Sequence, residues 1–532
     1  MTKKKYILAC TLMIAGLLSF NSCDKNLDIS ISKPLEVNYF SSEFAVYQGV
    51  GAAYAELTNI YGPDLVTGSK QGFWLLPADD ITADGTGNPL ETFSGLNGTN
   101  GPVNGMWKTL YKVIARCNFM LDYLQGGSLD AIIKTPGLKD AEIAEMLFIR
   151  SWCNFKLWDN WRKAPLQEKR IKTPADAVLP PSKDFELLDN AITSLETAAP
   201  LAQVTWNNQN LGRITKDACY GLLVKLYVTR ACYNSKNADD YNKAITAFSK
   251  ISSTTMSAFG TVSYGDNFDY RTENNPESLF EFQASLDISD NPWLDNDFGN
   301  DVSMMSAFYH YEDSSWTNYS SGIFGPTDKL VAAFDPADPR KGETLRGTDI
   351  TVWAYYIVPA WGKFNNNHLV KYENGARGNC IDPQFGTGSA NNTRLLRLAD
   401  VKLCVAEAYL ATGNTGAALV QVNDVRSRAR NSVSPASSAP ADLLSVAIAD
   451  IMNERMLELA GEDGHRWSDL KRWHAAGYIN LSTWTAADFG FPSNYDPALF
   501  KFDVSKNLLY PIPTVELSNN PQMAASGQNP GY

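Results

Sequence analysis

The chain has 532 residues, 44% of them apolar and 20% charged, and 46 Lys and Arg against 58 Asp and Glu leave a formal charge of -12. That composition can bury a large core, and no stretch of it reads as disordered. A body of this sign repels phosphate, which argues against nucleic acid and against binding to anionic lipid through surface charge.

The chain opens with "MTKKKYILACTLMIAGLLSFNSCDKN": three lysines, a nearly uncharged apolar run from Tyr6 to Phe20, then small and polar residues before Cys23. This order predicts a signal peptide over 1–22, because the apolar run is shorter than the roughly 20 residues a membrane span needs. No later segment comes close to a span, so no transmembrane helix is expected in the mature protein. Cys23 stands where the lipoprotein pathway alkylates a thiol with diacylglycerol, and it is the expected lipid anchor. Each buried CH₂ of an attached chain contributes about 0.8 kcal/mol, so two or three acyl chains suffice to hold the protein on a membrane. Phe20 and Asn21 depart from the usual small-residue lipobox, and an ordinary signal cut nearby is the alternative. Removing Lys3, Lys4 and Lys5 with a segment that has no acid takes the charge to -15. Residues 23–40, polar and extended in character, suit a tether.

Helical periodicity governs residues 41–250. Leu110, Val113, Ile114, Cys117, Leu121 and Leu124 form one apolar stripe, and Phe148, Trp152 and Phe155 another in "AEMLFIRSWCNFKLWDNW". "RITKDACYGLLVKLYVTRACY" puts Cys219, Leu222, Leu223 and Leu226 on one face, and "DDYNKAITAFSKI" supplies a partner helix. The same plan returns in 395–532, with "RLADVKLCVAEAYLATGN" followed by "TGAALVQVNDVRSRAR". Paired helices of this length with small residues at the contacts match a tetratricopeptide repeat, against unrelated helical hairpins as the plainer reading. Residues 251–394, and a shorter stretch at 83–105, are rich in Gly, Asn, Asp, Pro and aromatics, and long loops of that kind inside a compact domain are usually functional. Six cysteines follow Cys23: Cys117, Cys153, Cys219, Cys232, Cys380 and Cys404. They form no CxxC pair, and Cys219 and Cys232 on one helix would stand roughly 20 Å apart, so neither a disulfide framework nor a thiolate metal site is expected. No cofactor is expected either.

"ELAGEDGHRWSDLKRW", residues 458–473, gathers acids, a histidine, a serine and cations as an active site would. Ile448, Ile451, Met452, Met456 and Leu459 precede it as an apolar stripe, and Trp467, Leu470 and Trp473 follow as another, so "GEDG" reads as a turn between two helices. Glu462 and Asp463, flanked by glycines, are expected to be solvated, with surface ion pairs worth about 0 to 1 kcal/mol each. Glycoside hydrolysis needs two carboxylates about 5 to 9.5 Å apart with one pKa raised by burial, and solvated neighbours in a turn do not fit that demand. His465 has no HExxH partner. The turn is therefore expected to be scaffold.

In this order, the segments "AEMLFIRSWCNFKLWDNW", "GRITKDACYGLLVKLYV", "RLADVKLCVAEAYLATGN", "ERMLELAGEDGHRWSDLKRW" and "LLYPIPTVELSNNPQMAASGQNPGY" resemble the SusD/RagB family of outer-membrane nutrient-binding lipoproteins, from about residue 40 to Tyr532. The resemblance implies a mainly α, tetratricopeptide-like scaffold carrying a large irregular ligand-binding part, as one domain over 41–532. It implies a lipid anchor facing the cell exterior and a SusC-like TonB-dependent β-barrel partner over which the protein sits as a lid. Sugars are held by aromatic faces and by amide, carboxylate and guanidinium groups. Trp293, Trp316, Tyr319, Trp353 and Trp361 lie in the irregular region beside amides such as Asn318 and Asn365, and are candidate ligand contacts. The resemblance adds the loop holding Phe93 and Asn97. The expected function is non-catalytic capture of oligosaccharide and delivery to the barrel. Peptide capture is the rival within the binding class, since the family includes peptide binders, and an extracellular glycoside hydrolase is the remote one.

Overall fold

The computed structural model describes residues 39–62, 69–83, 87–284, 324–347, 367–369, 371–372, 391–492 and 495–532. Cys23, Trp293, Trp316, Tyr319, Trp353, Trp361 and Cys380 lie outside the described residues.

The helices begin where the sequence offers an oxygen to their free N–H groups. Asn100 Oδ1 accepts from Val103 N at the start of α3 (Gly101–Gln125), after α1 (Glu43–Ala55) and α2 (Ser69–Leu75). α4 (Leu138–Trp161) is buried nearly all round, and α5 (Glu186–Leu201) packs on it. Thr215 caps α6 (Lys216–Tyr233), and Asn237 caps α7 (Ala238–Phe248). Later come α8 (Leu398–Ala411), α9 (Thr415–Arg430), capped by Asn414, α10 (Ile448–Leu459) and α11 (His465–Ala475). Each predicted stripe turns inward: Leu110, Val113, Ile114, Cys117 and Leu124 are wholly buried on α3, as are Phe148 and Trp152 on α4.

Neighbours in sequence pack on one another from α3 through α7. α8 then packs on both α6 and α7, and α9 on α8, so that the later helix pair stacks on the earlier one. This is the tetratricopeptide-like stacking of helix pairs, in which each pair buries its apolar face only against the next. A single apolar cluster runs from Phe40 to Met523 and ties all of these helices together.

Among the described residues, the strands form three antiparallel pairs: β1 (Ile81–Ala83) with β3 (Phe324–Pro326), β2 (Ser278–Phe282) with β6 (Thr393–Arg397), and β4 (Leu345–Gly347) with β5 (Asn367–Leu369). The registers join distant parts of the chain, Ile81 facing Pro326, Phe282 facing Thr393 and Leu345 facing Leu369. Cys117, Cys153, Cys219, Cys232 and Cys404 are buried and free, and burial pushes the Cys117 and Cys404 thiols up to about 12. No helix among the described residues is long and apolar enough to cross a membrane.

Candidate functional site

The "GEDG" turn does not lie on the surface, and this corrects the expectation drawn from its composition. Glu462 is 1% exposed, Asp463 5% and His465 3%. Gly461 and Gly464 adopt φ of 70° and 66°, which lets the chain turn back into the body between α10 and α11. A Cβ on Gly464 would lie 2.6 Å from the Trp74 carbonyl oxygen, so the turn is pressed against backbone.

The acids on this turn and on α10 meet cations from far away in sequence. Glu462 accepts from Arg397 Nε at 2.8 Å and Nη2 at 2.9 Å, and from Lys371 Nζ at 2.8 Å. Glu458 accepts from Arg397 at 2.5 Å, from Arg340 at 2.9 Å and from Arg428. Arg397 and Arg428 reach Glu277 at 2.8 and 2.5 Å, and Arg340 reaches Glu454 at 2.6 Å. Burial pushes the Glu458 carboxyl up, but the guanidinium groups of Arg428, Arg397 and Arg340 outweigh it and hold the group well below the usual carboxylate range. The acids of α10 thus pair with β6, α9 and the short helix Pro339–Thr344 rather than with the cations of α11. Asp469 of α11 instead pairs with Arg455 of α10 at 2.7 Å.

Asp463 accepts from Lys156 Nζ at 2.7 Å. His465 Nδ1 lies 2.7 Å from Lys225 Nζ, which also pairs with Asp400 at 2.8 Å. Burial, and then the Lys225 charge, keep the imidazole well below its ordinary pKa. The ring is therefore neutral and accepts from the ammonium, which leaves it no proton to donate at that nitrogen. The motif joins α10 and α11 through a buried ion network and not as a solvated turn.

The network fixes the frame from which the irregular region departs. Glu277 leads into β2, Arg397 ends β6, Arg340 precedes β4, and Lys371 stands between β5 and β6. Around them the described residues that flank the segments carrying the five candidate aromatics are held in register. Gly347 faces Asn367, Phe324 faces Ala83, and Ala284 N donates to Asn392 Oδ1 at 2.7 Å. Sequence reasoning missed Arg340, Lys371, Arg397 and Arg428. The available signal was Arg397 in "TRLLRLAD", a cation set among residues otherwise apolar enough for a core.

The loop at 87–100 separates its two candidates. Phe93, at φ 58°, is 3% exposed and packs its ring against Trp467, Phe500 and Phe502 at centroid distances of 5.9, 5.9 and 5.0 Å. Its face is spent on core, which corrects its place among ligand contacts. Asn97 is exposed; its Oδ1 accepts from Thr99 N at 2.8 Å and its Nδ2 donates to Gly95 O at 3.1 Å, which shapes the turn. The loop is tied to the C-terminal segment by Thr514 N to Gly98 O at 2.8 Å and Lys501 N to Thr92 O at 2.7 Å. The described residues hold no cluster of His, Cys, Asp and Glu arranged to take a metal.

Comparison with known proteins agrees with this architecture. The SusD family model matches residues 276–532, and the model described as "starch-binding associating with outer membrane" matches 87–228. A SusD-like protein of Bacteroides ovatus is 24% identical over 70% of this chain, a match spanning 65% of that protein, a little under two thirds of its length. A SusD-like protein of Formosa agariphila is 26% identical over 93% of both chains. Among solved structures, a laminarin-binding SusD-like protein superposes with a TM-score of 0.69 at 22% identity, covering 92% of this chain and all of that one, so the fold is shared. With the two models falling in order on the first helices and on the strand, network and tail region, the chain belongs to the SusD family.

Proposed function

We propose that this protein captures oligosaccharide at the cell surface without cleaving it and passes it to a SusC-like TonB-dependent barrel. The observation that carries the reading is the match of its first helices to a starch-binding family, supported by the shared fold of a laminarin-binding relative. The built part of the molecule suits a presenting role. A helical body holds paired strands whose ends flank the segments bearing Trp293, Trp316, Tyr319, Trp353 and Trp361, and aromatic faces of this kind cover the apolar side of a sugar ring. Asn97, exposed on the neighbouring loop, is assigned to the same ligand face. The carboxylates of the turn motif are all engaged by Arg or Lys, which supports binding over hydrolysis.

Cys23 is assigned as the acylated residue that anchors the protein at the outer membrane, facing outward. The helical body and the tether at 23–40 are assigned to the barrel, since a lasting complex needs a surface well over about 1,000 Å².

Calorimetry with neutral oligosaccharides, alongside a reducing-end assay for cleavage, tests the reading. Binding without product release is expected, and alanine at Trp293, Trp316, Trp353 or Trp361 should weaken it by about 1 to 3 kcal/mol for a true stacking residue. Co-purification with the barrel should survive those changes. Turnover of the glycan, or preference for peptides on a mixed array, would overturn the assignment.

A further inference from the structure

A cavity of about 700 Å³ opens between α3, α4 and the segment 166–179, and its lining includes Asp122, Gln125, Arg150, Gln167, Lys169 and Lys172. Its size lies within the range of small-molecule sites, roughly 300 to 1,000 Å³. Asn97, the described member of the proposed ligand face, does not line it.

Arg150 is the unusual member. It is 8% exposed, yet every acceptor it meets is neutral: Asn118 Oδ1 at 2.9 Å, the Glu168 carbonyl at 3.0 Å and Ser194 Oγ at 3.3 Å. Its Nε has no partner. Six other guanidinium groups among the described residues are as deeply buried, and each has at least one carboxylate within ion-pair distance, Arg394 meeting Glu281 at 3.2 Å and the other five meeting two or more. Arg340 has Asp338, Glu454 and Glu458; Arg397 has Glu277, Glu458 and Glu462; Arg428 has Glu277 and Glu458. Arg455 has Asp400 and Asp469, and Arg472 has Glu407 and Asp469. A buried charge without a counter-ion is far costlier than a paired one, so the isolated Arg150 needs a reason.

The nearby acids reach it only at a distance. The Glu168 carboxylate acts on Arg150 through space while its hydrogen bond is to Asn190 Nδ2 at 2.7 Å, Asp122 serves Arg170 at 3.5 Å and Lys172 at 3.0 Å, and Asp176 accepts from the backbone N–H groups of Lys172 and Thr173. Lys169, exposed on the rim, has no ion pair among the described residues. The lining carries four cations, Arg150, Lys169, Arg170 and Lys172, against the three carboxylates of Asp122, Glu168 and Asp176, an excess of one positive charge on a chain whose formal charge is -12, so the cavity is not part of a generally basic surface.

We propose that this cavity is a second ligand site, one that takes the anionic group of an acidic saccharide, a uronate carboxylate or a sulfate ester. Arg150 and Lys169 supply the counter-charge, and the amide of the exposed Gln125 is open to a hydroxyl group, whereas the Gln167 amide is engaged with the Lys169 carbonyl at 2.7 Å. The saccharide class rests on the glycan-capture reading, whereas the charge of the ligand rests on the cavity itself.

The test is calorimetry on the full mature chain with trigalacturonate, with a sulfated galactose trimer, with neutral maltotriose and with inorganic sulfate alone, at low and at physiological salt. At least one acidic trimer should bind and weaken as salt rises, its identity telling carboxylate from sulfate ester. Arg150→Gln should weaken it by about tenfold or more, and Lys169→Gln by about threefold, because charge-assisted contacts are the strong ones. Maltotriose affinity should be the same in all three proteins. If Arg150→Gln fails a melting check for folding, the exposed Lys169→Gln decides alone. The proposal is overturned if neither acidic trimer binds, if the variants bind it as well as the wild type, or if sulfate ion alone binds as tightly as the trimers. Neutral glycan binding that persists in any of those cases leaves the capture reading standing, so the two failures are distinguishable.

Discussion

Glu462→Gln is the sharpest probe of the buried network. The substitution keeps the shape of the side chain and one acceptor oxygen, but removes a charge that receives three N–O contacts of 2.8 to 2.9 Å at a position 1% exposed. Arg397 would retain Glu277 and Glu458, whereas Lys371 would retain only the Glu458 carbonyl at 3.1 Å. Removing one member of a buried pair costs about 3 to 5 kcal/mol, most of it here the stranded ammonium. Unfolding entropy of about 2.1 cal/mol/K per residue, over roughly 500 residues, makes this a fall in Tm of about 3 to 5 °C. The loss should also depend on pH. Burial holds the Lys371 ammonium down at about 8, with Glu462 acting against it, so loss of Glu462 lowers the folded pKa further. A lysine whose folded pKa lies below its unfolded 10.5 destabilises more as pH falls, and the gap between variant and wild type therefore widens from pH 9 to pH 6. Differential scanning calorimetry at both pH values reads this directly. Adding Lys371→Met should recover at least about 1 kcal/mol, because the cation then leaves with its partner. A single variant that melts within about 1 °C of wild type, or a double variant as poor as the sum of the singles, refutes the argument.

Three further outcomes follow from named contacts. Phe93→Ala should cost about 3 to 5 kcal/mol by emptying the space between Trp467, Phe500 and Phe502, while the folded fraction binds glycan with unchanged affinity by calorimetry. Gly98→Ala would put a Cβ 2.6 Å from Thr514 Oγ1 and 2.8 Å from the Ile512 carbonyl oxygen, so a loss of about 1 to 3 kcal/mol and faster proteolysis of the C-terminal segment are expected. Glu142 is fully buried with neither carboxylate oxygen bonded, and burial, then Glu145, push it up to about 8. Its folded pKa exceeds the unfolded 4.5, so its contribution is full below pH 4.5 and is lost as pH rises through about 8; Glu142→Gln should match wild type at pH 5 and melt higher at pH 9.

The helical half of this fold was legible because its signal is local. A stripe such as Leu110, Val113, Ile114, Cys117 and Leu124 repeats every three or four residues whatever lies beyond it, and all five are buried as the spacing required. The cap residues Asn100, Thr215, Asn237 and Asn414 act within three residues of themselves and are equally readable. The "GEDG" turn was misread as solvated for the opposite reason. Glycine, acid, acid, glycine is what an exposed turn looks like, and its burial depends on Arg397, Lys371, Lys156 and Lys225, which are 65, 91, 307 and 240 residues from their partners in the turn. No local window contains both halves of such a pair. The same limit applied to Phe93, which the family resemblance brought in with its loop: only the tertiary arrival of Phe500 and Phe502 makes it core. Arg150 runs the argument in reverse, because in "AEMLFIRSWCNF" it looks like an ordinary cation on a helix. Its interest comes from the lack of a carboxylate at ion-pair distance among the described residues, and that is visible only once the partners of the other buried guanidinium groups have been placed.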